Sequence, residues 1–305
     1  NPLKLRAVFI SHLHGDHVFG LFPLLSTMGL CGRQMPLKVF APRPFDEMLE
    51  FHLKYFDEHL PYQVEWVEVD TTKHSCIFEN KSVEVWSVPL RHKIPCAGFH
   101  FKERSPELNV HKFKIEKYSL SIAQIVAAKR GEDITLEDGT VIENSELTYL
   151  PFTPKSYAYL SDTSRSAVAA RRIKGVDLLY HEATYTKEFA RDAKERGHST
   201  AADAAQIAVA AEAKALIIGH FSSRYKSPEA LLAEAKEIFE NTQLAEEGET
   251  YTLENDEIKL TKKFDDNFDL LIGATAIVNK YVLVTENVSD FINLRNIEIE
   301  NWIIR

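Results

Sequence analysis

Ser11-His12-Leu13-His14-Gly15-Asp16-His17 is the stretch from which the rest of this chain is read. Three histidines and an aspartate stand within six residues, directly after the apolar run Ala7-Val8-Phe9-Ile10. A carboxylate among imidazoles serves no packing purpose, whereas neutral imidazole with carboxylate is a ligand set that suits Zn²⁺. The competing reading is a solvated polar turn, and a short His/Asp spacing also arises by chance. Partner ligands further along the chain decide between the two.

Working outward, the continuous apolar run up to Ile10 predicts a buried strand that delivers the loop to a sheet edge. Apolar residues at helical spacing predict a helix over 18–30, with Asp16 and His17 at its positive end. Strands are expected at 37–41, 63–69 and 83–88, and a helix at 45–59. Strands alternating with helices place the chain in the α/β class. His52, His59 and His74 occupy polar helical or turn positions and are read as surface histidines. His92 differs, because it follows the strand 83–88 directly, where a strand-end ligand would sit.

The second half repeats this placement. Asp162 ends the predicted strand 157–161, either as a strand-end ligand or as a cap on the next helix. A strand at 176–180 leads into His181-Glu182-Ala183-Thr184. Gly197-His198-Ser199-Thr200 precedes an alanine-rich helix over 201–213, with Ser199 or Thr200 as its N-cap. The strand 215–219 ends at His220, and a helix is expected over 229–239. Two zinc ions about 3.5–4 Å apart need such a number of ligands, with one carboxylate between them. His12, His14 and His92 would hold one ion, Asp16, His17 and His220 the other, and Asp162 would bridge. Asp16 could also orient a water or accept its proton.

These motifs resemble the metallo-β-lactamase superfamily and, within it, the tRNase Z family, endonucleases that trim the 3′ trailer from precursor tRNA. The first histidine motif specifies only the superfamily. His181-Glu182-Ala183-Thr184, Gly197-His198-Ser199-Thr200 and Gly219-His220-Phe221-Ser222-Ser223-Arg224-Tyr225, in that order, are specific to tRNase Z. The resemblance implies an αβ/βα sandwich, two Zn²⁺ per chain, and a homodimer in which an arm of one subunit grips tRNA for the other. It also implies that His198 and Glu182 form the catalytic pair that protonates the leaving 3′ oxygen. Histidine can supply that proton near pH 7, and a neighbouring carboxylate would raise its pKa. Two other readings are a general di-zinc phosphodiesterase and an inactive fragment.

The predicted tRNase Z domain covers 1–253, with 100–150 inserted as the arm. Residues 102, 104, 112, 114, 117, 129 and 130 make its first part basic, with Phe113, Tyr118 and Ile125 interleaved, before the acidic stretch 131–146. A solvated face and a phosphate-contacting surface both fit that pattern. The family carries further strands before the histidine motif, and this chain opens Asn1-Pro2, so the sandwich is expected to be N-terminally incomplete. Residues 254–305 are similar to the C-terminal end of toxin-type PIN-domain ribonucleases, where Asp269 and Asp290 would match two metal-holding acids. A stretch that short cannot build the domain, so it is expected as a foreign tail, or as a strand and helix docked on the body.

Composition bounds the rest. The 305 residues are 45% hydrophobic and 27% charged, the balance of a globular protein with material for a large core. A net charge of −9 excludes a coat of nucleic-acid-binding charge, though not a local basic patch. Cys31, Cys76 and Cys96 are too scattered for a disulfide framework and fit a reducing cytoplasm. The longest apolar run, 269–284, is broken by Asn279 and Lys280, so no membrane span is expected.

Overall fold

The computed structural model describes residues 2–56, 59–254, 256–263, 282–284 and 298–300. The predicted PIN-like residues Asp269 and Asp290 lie outside them. The chain opens with β1 (Ala7–Phe9), then α1 (Gly15–Val18), α2 (Leu21–Leu30), β2 (Leu37–Ala41), α3 (Phe45–Tyr55) and β3 (Val64–Glu68). The three strands form a parallel sheet in the order β1-β2-β3. Val8 packs with the helix side, among Leu25, Met28, Val39 and Phe45, while Ala7 and Phe9 pack on the opposite side. Both faces of β1 are therefore in contact, as its unbroken apolar run requires. The strand is only half-buried because it stands at the sheet's edge. The single helix expected over 18–30 is broken at Phe19-Gly20 into α1 and α2.

The second sheet begins with β4 (Cys76–Glu79), β5 (Val83–Pro89) and β6 (Ala97–Glu103), an antiparallel meander. The insertion follows as β7 (Asn109–Val110), α4 (Lys112–Lys117), α5 (Ile122–Lys129), β8 (Ile134–Thr135), β9 (Val141–Ile142), α6 (Asn144–Leu147) and β10 (Thr148–Tyr149). It closes on a core of its own: Leu120, Ala128, Ile134, Ile142 and Leu147. The expected start of this insertion, residue 100, lies inside β6, because Phe99 to Lys102 alternate as a sheet strand paired on both sides. The chain returns as β11 (Ser156–Leu160), α7 (Ala167–Arg172), β12 (Leu178–Glu182), α8 (Ala190–Arg196), α9 (Ala201–Ala210), β13 (Ala215–Gly219), α10 (Glu229–Lys236) and β14 (Thr242–Leu244). The seven strands run β14-β13-β12-β11-β6-β5-β4.

The two sheets face each other across Phe40, Val85 and Phe99, where the Phe9 ring stacks on Phe40 at 4.8 Å between centroids. On the outer face of the second sheet, Leu160, Ile173, Leu179, Ile207, Leu216 and Leu231 pack with α7, α9 and α10. Ala201, Ala204, Ala205 and Ala208 are fully buried there. Thr200 and Asp203 close a capping box at the start of α9. The result is the four-layered αβ/βα sandwich that the family resemblance implies. A hairpin of β15 (Glu249–Glu254) and β16 (Glu257–Lys263) follows. Its Tyr251, Leu253 and Ile258 pack against Leu178, Tyr180 and Ile217. The domain boundary expected between 253 and 254 therefore runs through a hairpin that belongs to the body.

Candidate metal centre

Strand direction brings the predicted ligands together. β5, β11, β12 and β13 are mutually parallel and end at the same edge of the second sheet. His92 follows β5, Asp162 follows β11, Glu182 is the last residue of β12, and His220 follows β13. The loop after β1 leans on this edge, with Ser11 accepting at its carbonyl from the amide of Ala97 at 3.0 Å. It thereby brings His12, His14, Asp16 and His17 from the first sheet. His220 has a φ of 60°, a strained left-handed conformation for a residue with a Cβ. Gly219 before it leaves room for Tyr180, whose hydroxyl oxygen would lie 2.6 Å from an added Cβ.

Two ligand sets share one carboxylate. His12 Nε2 lies 3.1 Å from His14 Nδ1, and His92 Nε2 lies 3.3 Å from the same atom. Asp162 Oδ2 faces this set, 3.5 Å from His12 and 3.7 Å from His92. Its other oxygen, Oδ1, lies 3.5 Å from His17 Nε2 and 3.3 Å from His220 Nε2. Asp16 Oδ2 joins the second set at 3.4 Å from His17 Nε2 and is largely exposed at its rim. A tetrahedral zinc with nitrogen ligands at 2.0–2.1 Å puts them about 3.3 Å apart, close to these separations. The buried atoms His17 Nε2 and Asp162 Oδ1 have no hydrogen-bond partner. Buried polar atoms of that kind cost free energy unless something else binds them. The donor set and its orphaned atoms therefore fit two zinc ions.

Charge and hydrogen bonding prepare the ligands. Burial pushes the pKa of His17 and His92 down, toward the neutral imidazole that offers a lone pair. Burial alone would raise the Asp162 carboxyl, but the His12 hydrogen bond and the His220 and His17 rings hold it well below the usual carboxylate range. Ring orientation is set from behind. His92 Nδ1 donates to the Gly197 carbonyl at 2.8 Å, and His12 Nδ1 meets Ser11 Oγ at 3.0 Å. Cys96 is buried 3.7 Å from His12 Nδ1. Burial pushes its thiol far up, so it stays protonated and is not a ligand.

Beside the second set stand Glu182 and His198. Glu182 is fully buried. Its Oε1 accepts from His198 Nδ1 and from the Thr163 amide, both at 2.9 Å. Its Oε2 accepts from the Thr184 amide at 3.1 Å and from the Thr184 hydroxyl at 2.7 Å. Burial lowers His198, but the hydrogen bond and charge of Glu182, with Asp162, outweigh it, and the imidazole ends above its ordinary value. A histidine at 198 can also close a third group with Asp162 and His220.

Residues 1–146 match the model of the β-lactamase superfamily domain. Ribonuclease Z of Parabacteroides distasonis is 43% identical over 245 residues, covering 80% of this chain and 81% of its own length. That of Porphyromonas gingivalis W83 is 44% identical over 244 residues, 80% of each chain. The chain belongs to the ribonuclease Z family. As a member it is a hydrolase of phosphodiester bonds. The short form of human tRNase Z covers 81% of this chain and 78% of its own, with a TM-score of 0.53 and 23% identity. The Bacillus subtilis metallo-β-lactamase fold protein YhfI covers 80% and 76%, with a TM-score of 0.52 and 17% identity. At those identities the likeness speaks for the fold alone, the metallo-β-lactamase sandwich.

Within this ribonuclease Z fold, every residue that the sequence singles out for the site lies in it: His12, His14, Asp16, His17, His92, Asp162, Glu182, His198 and His220. Two histidines read as surface residues do not lie free there. His52 is half-buried and stacked on Phe22, and His74 is half-buried with Nδ1 donating to the Ser87 carbonyl at 2.7 Å. Sequence reasoning missed Thr184, whose hydroxyl links His220 Nδ1 at 2.9 Å to Glu182. It also missed the Gly197 carbonyl behind His92. A hydroxyl two residues after a strand-end glutamate was the available signal for the first. A glycine in left-handed conformation closing α8 was the signal for the second.

Proposed function

We propose that this chain is a zinc-dependent endoribonuclease that removes the 3′ trailer of precursor tRNA. One observation carries the reading: Asp162 presents one oxygen to His12 and His92 and the other to His17 and His220. Two Zn²⁺ per chain would supply Lewis acidity there, activating a water and offsetting charge on the phosphoryl oxygens. The protein's own groups do the rest. Exposed Asp16 accepts the proton of the attacking water as the new P–O bond forms. The bond from phosphorus to the tRNA 3′ oxygen breaks, and His198 delivers a proton to that oxygen. Glu182, itself fixed by the Thr163 amide and by the Thr184 amide and hydroxyl, accepts from His198 Nδ1 and holds that donor in place.

The catalytic domain runs from residue 1 through the hairpin that ends at Lys263. The insertion between β6 and β11 grips tRNA: Lys112 and Lys117 are exposed on α4, beside exposed Phe113, a pairing of cation and ring suited to phosphate and base. A homodimer is supported by the exposed aromatic residues Phe51, Tyr55 and Phe56, whose rings touch one another on the surface. A cytoplasmic setting is supported by three free cysteines. Among the described residues no helix is long and apolar enough to cross a membrane.

The test is cleavage of a precursor tRNA, with product ends identified. The wild-type chain is expected to leave a 3′-hydroxyl at the discriminator and to hold about two zinc ions. His14→Ala and Asp162→Ala each lose at least about a thousandfold in rate. Unchanged cleavage by either variant would sink the mechanism. Equal turnover of a small chromogenic diester and of precursor tRNA would instead favour a general phosphodiesterase.

A further inference from the structure

Glu234 lies on α10, behind the site, and is only 7% exposed. The chemistry proposed above does not use it, so something else must compensate its burial. Its carboxylate accepts three hydrogen bonds from the backbone. Oε1 takes the Lys187 amide at 2.9 Å and the Ala202 amide at 3.0 Å, and Oε2 takes the Lys187 amide at 2.8 Å. Lys187 closes the loop that begins with Glu182 and Thr184, and Ala202 lies in the first turn of α9, just beyond His198. Helix α9 leaves its first amides without intrahelical partners, and a carboxylate is the favourable acceptor for them. The same two segments also meet where the Ala201 amide donates to the Tyr185 carbonyl at 2.8 Å. The Thr186 amide is held in turn by the Tyr225 hydroxyl at 3.0 Å.

We propose that Glu234 is a positioning residue for proton donation: by joining the amides of Lys187 and Ala202 it fixes the distance between the Glu182 strand end and His198. The 2.9 Å hydrogen bond from His198 Nδ1 to Glu182 then has the geometry needed to aim the other ring nitrogen. This inference rests on the reading of His198 as the donor to the leaving 3′ oxygen. Effects of this kind need no contact with substrate, since small misplacements of a proton donor cost rate steeply.

The experiment compares two substrates that differ in their need for a proton. Precursor tRNA expels an alkoxide-like 3′ oxygen, whereas bis(p-nitrophenyl) phosphate expels a phenolate that leaves without protonation. Glu234→Leu is expected to lower kcat on precursor tRNA at least about tenfold, with KM within about threefold. On the nitrophenyl diester its kcat stays within about threefold, and zinc content is unchanged. Hydrogen exchange quickens in the segments 183–187 and 198–202. Glu234→Gln keeps most of the activity, because an amide oxygen in place of Oε1 still accepts from both backbone amides. His198→Ala is the reference and shows the same split more deeply. Should Glu234→Leu fail to fold, Glu234→Asp, drawn back by one methylene, carries the same expected split. Equal losses on the two substrates, or full activity in both the Leu and Asp variants, overturn the proposal alone. A His198→Ala variant that slows both substrates alike overturns the donor reading and this inference together.

Discussion

Thr184 contributes no ligand atom, yet its hydroxyl stands between two functional groups. It donates to Glu182 Oε2, and His220 Nδ1 donates to it, which leaves His220 Nε2 unprotonated toward Asp162. Removing such support behind a metal ligand costs about 10–100-fold in metal affinity. Thr184→Val, equal in shape, is therefore expected to weaken zinc binding by about that factor in a chelator competition. Affinity equal to wild type would show that the hydroxyl does not hold His220. The residues that gather at the candidate site were legible because their types are dense and stand at strand ends. Thr184 and Gly197 were not, since their partners lie 36 and 105 residues away and only folding joins them. Local spacing marks such residues at most as candidates and does not name the distant partner.

The elements divide in the same way. The strands at 37–41 and 215–219 follow from local pattern, and the structure has them at those bounds. The edge position of β1 does not follow from pattern, because an apolar run reports contacts above and below a strand but not beside it. The insertion is the clearest case. Its basic first part and acidic second part read as a solvated face or a phosphate-contacting arm, and neither reading foresees the core that buried Leu120, Ile134, Ile142 and Leu147 give it. Its ends meet, with the Glu103 amide donating to the Lys155 carbonyl at 2.9 Å and the Lys155 amide donating to the Glu103 carboxylate at 2.9 Å. Such a module can be removed without stretching β6 or β11. Replacing residues 106–153 with a short glycine-serine turn should leave zinc content and nitrophenyl diester turnover near wild type. KM for precursor tRNA should rise at least about tenfold, and its dependence on salt should flatten as phosphate contacts are lost. An unchanged KM and salt slope would separate the insertion from tRNA binding.

At the scale of the whole molecule, alternation of strands and helices gave the class, and the motif resemblance gave the sandwich. The order of the seven-stranded sheet came from neither, since β6 and β11 pair across the whole insertion. The pH dependence of stability has a source outside the candidate site, His100. It lies on β6 in register with Trp86 and Ala158 and is almost fully buried. Burial pushes it down to about 4, with Lys102 and His74 acting in the same direction. Asp177 and the Arg172 backbone oppose that shift only in part, and neither ring nitrogen makes a well-formed hydrogen bond. With a folded pKa below the unfolded value of 6.5, the unfolded chain binds the proton first on acidification. The stability is thus fully present above pH 6.5 and is lost as pH falls through 4. Between pH 7.5 and 5 the loss from this one group is about 2 kcal/mol. Denaturant unfolding of wild type and His100→Leu at the two pH values isolates it, because the metal-site histidines titrate alike in both chains. The variant should lose about 2 kcal/mol less over that interval. Equal losses in the two chains would mean that His100 accepts its proton without unfolding, through water reaching the second sheet.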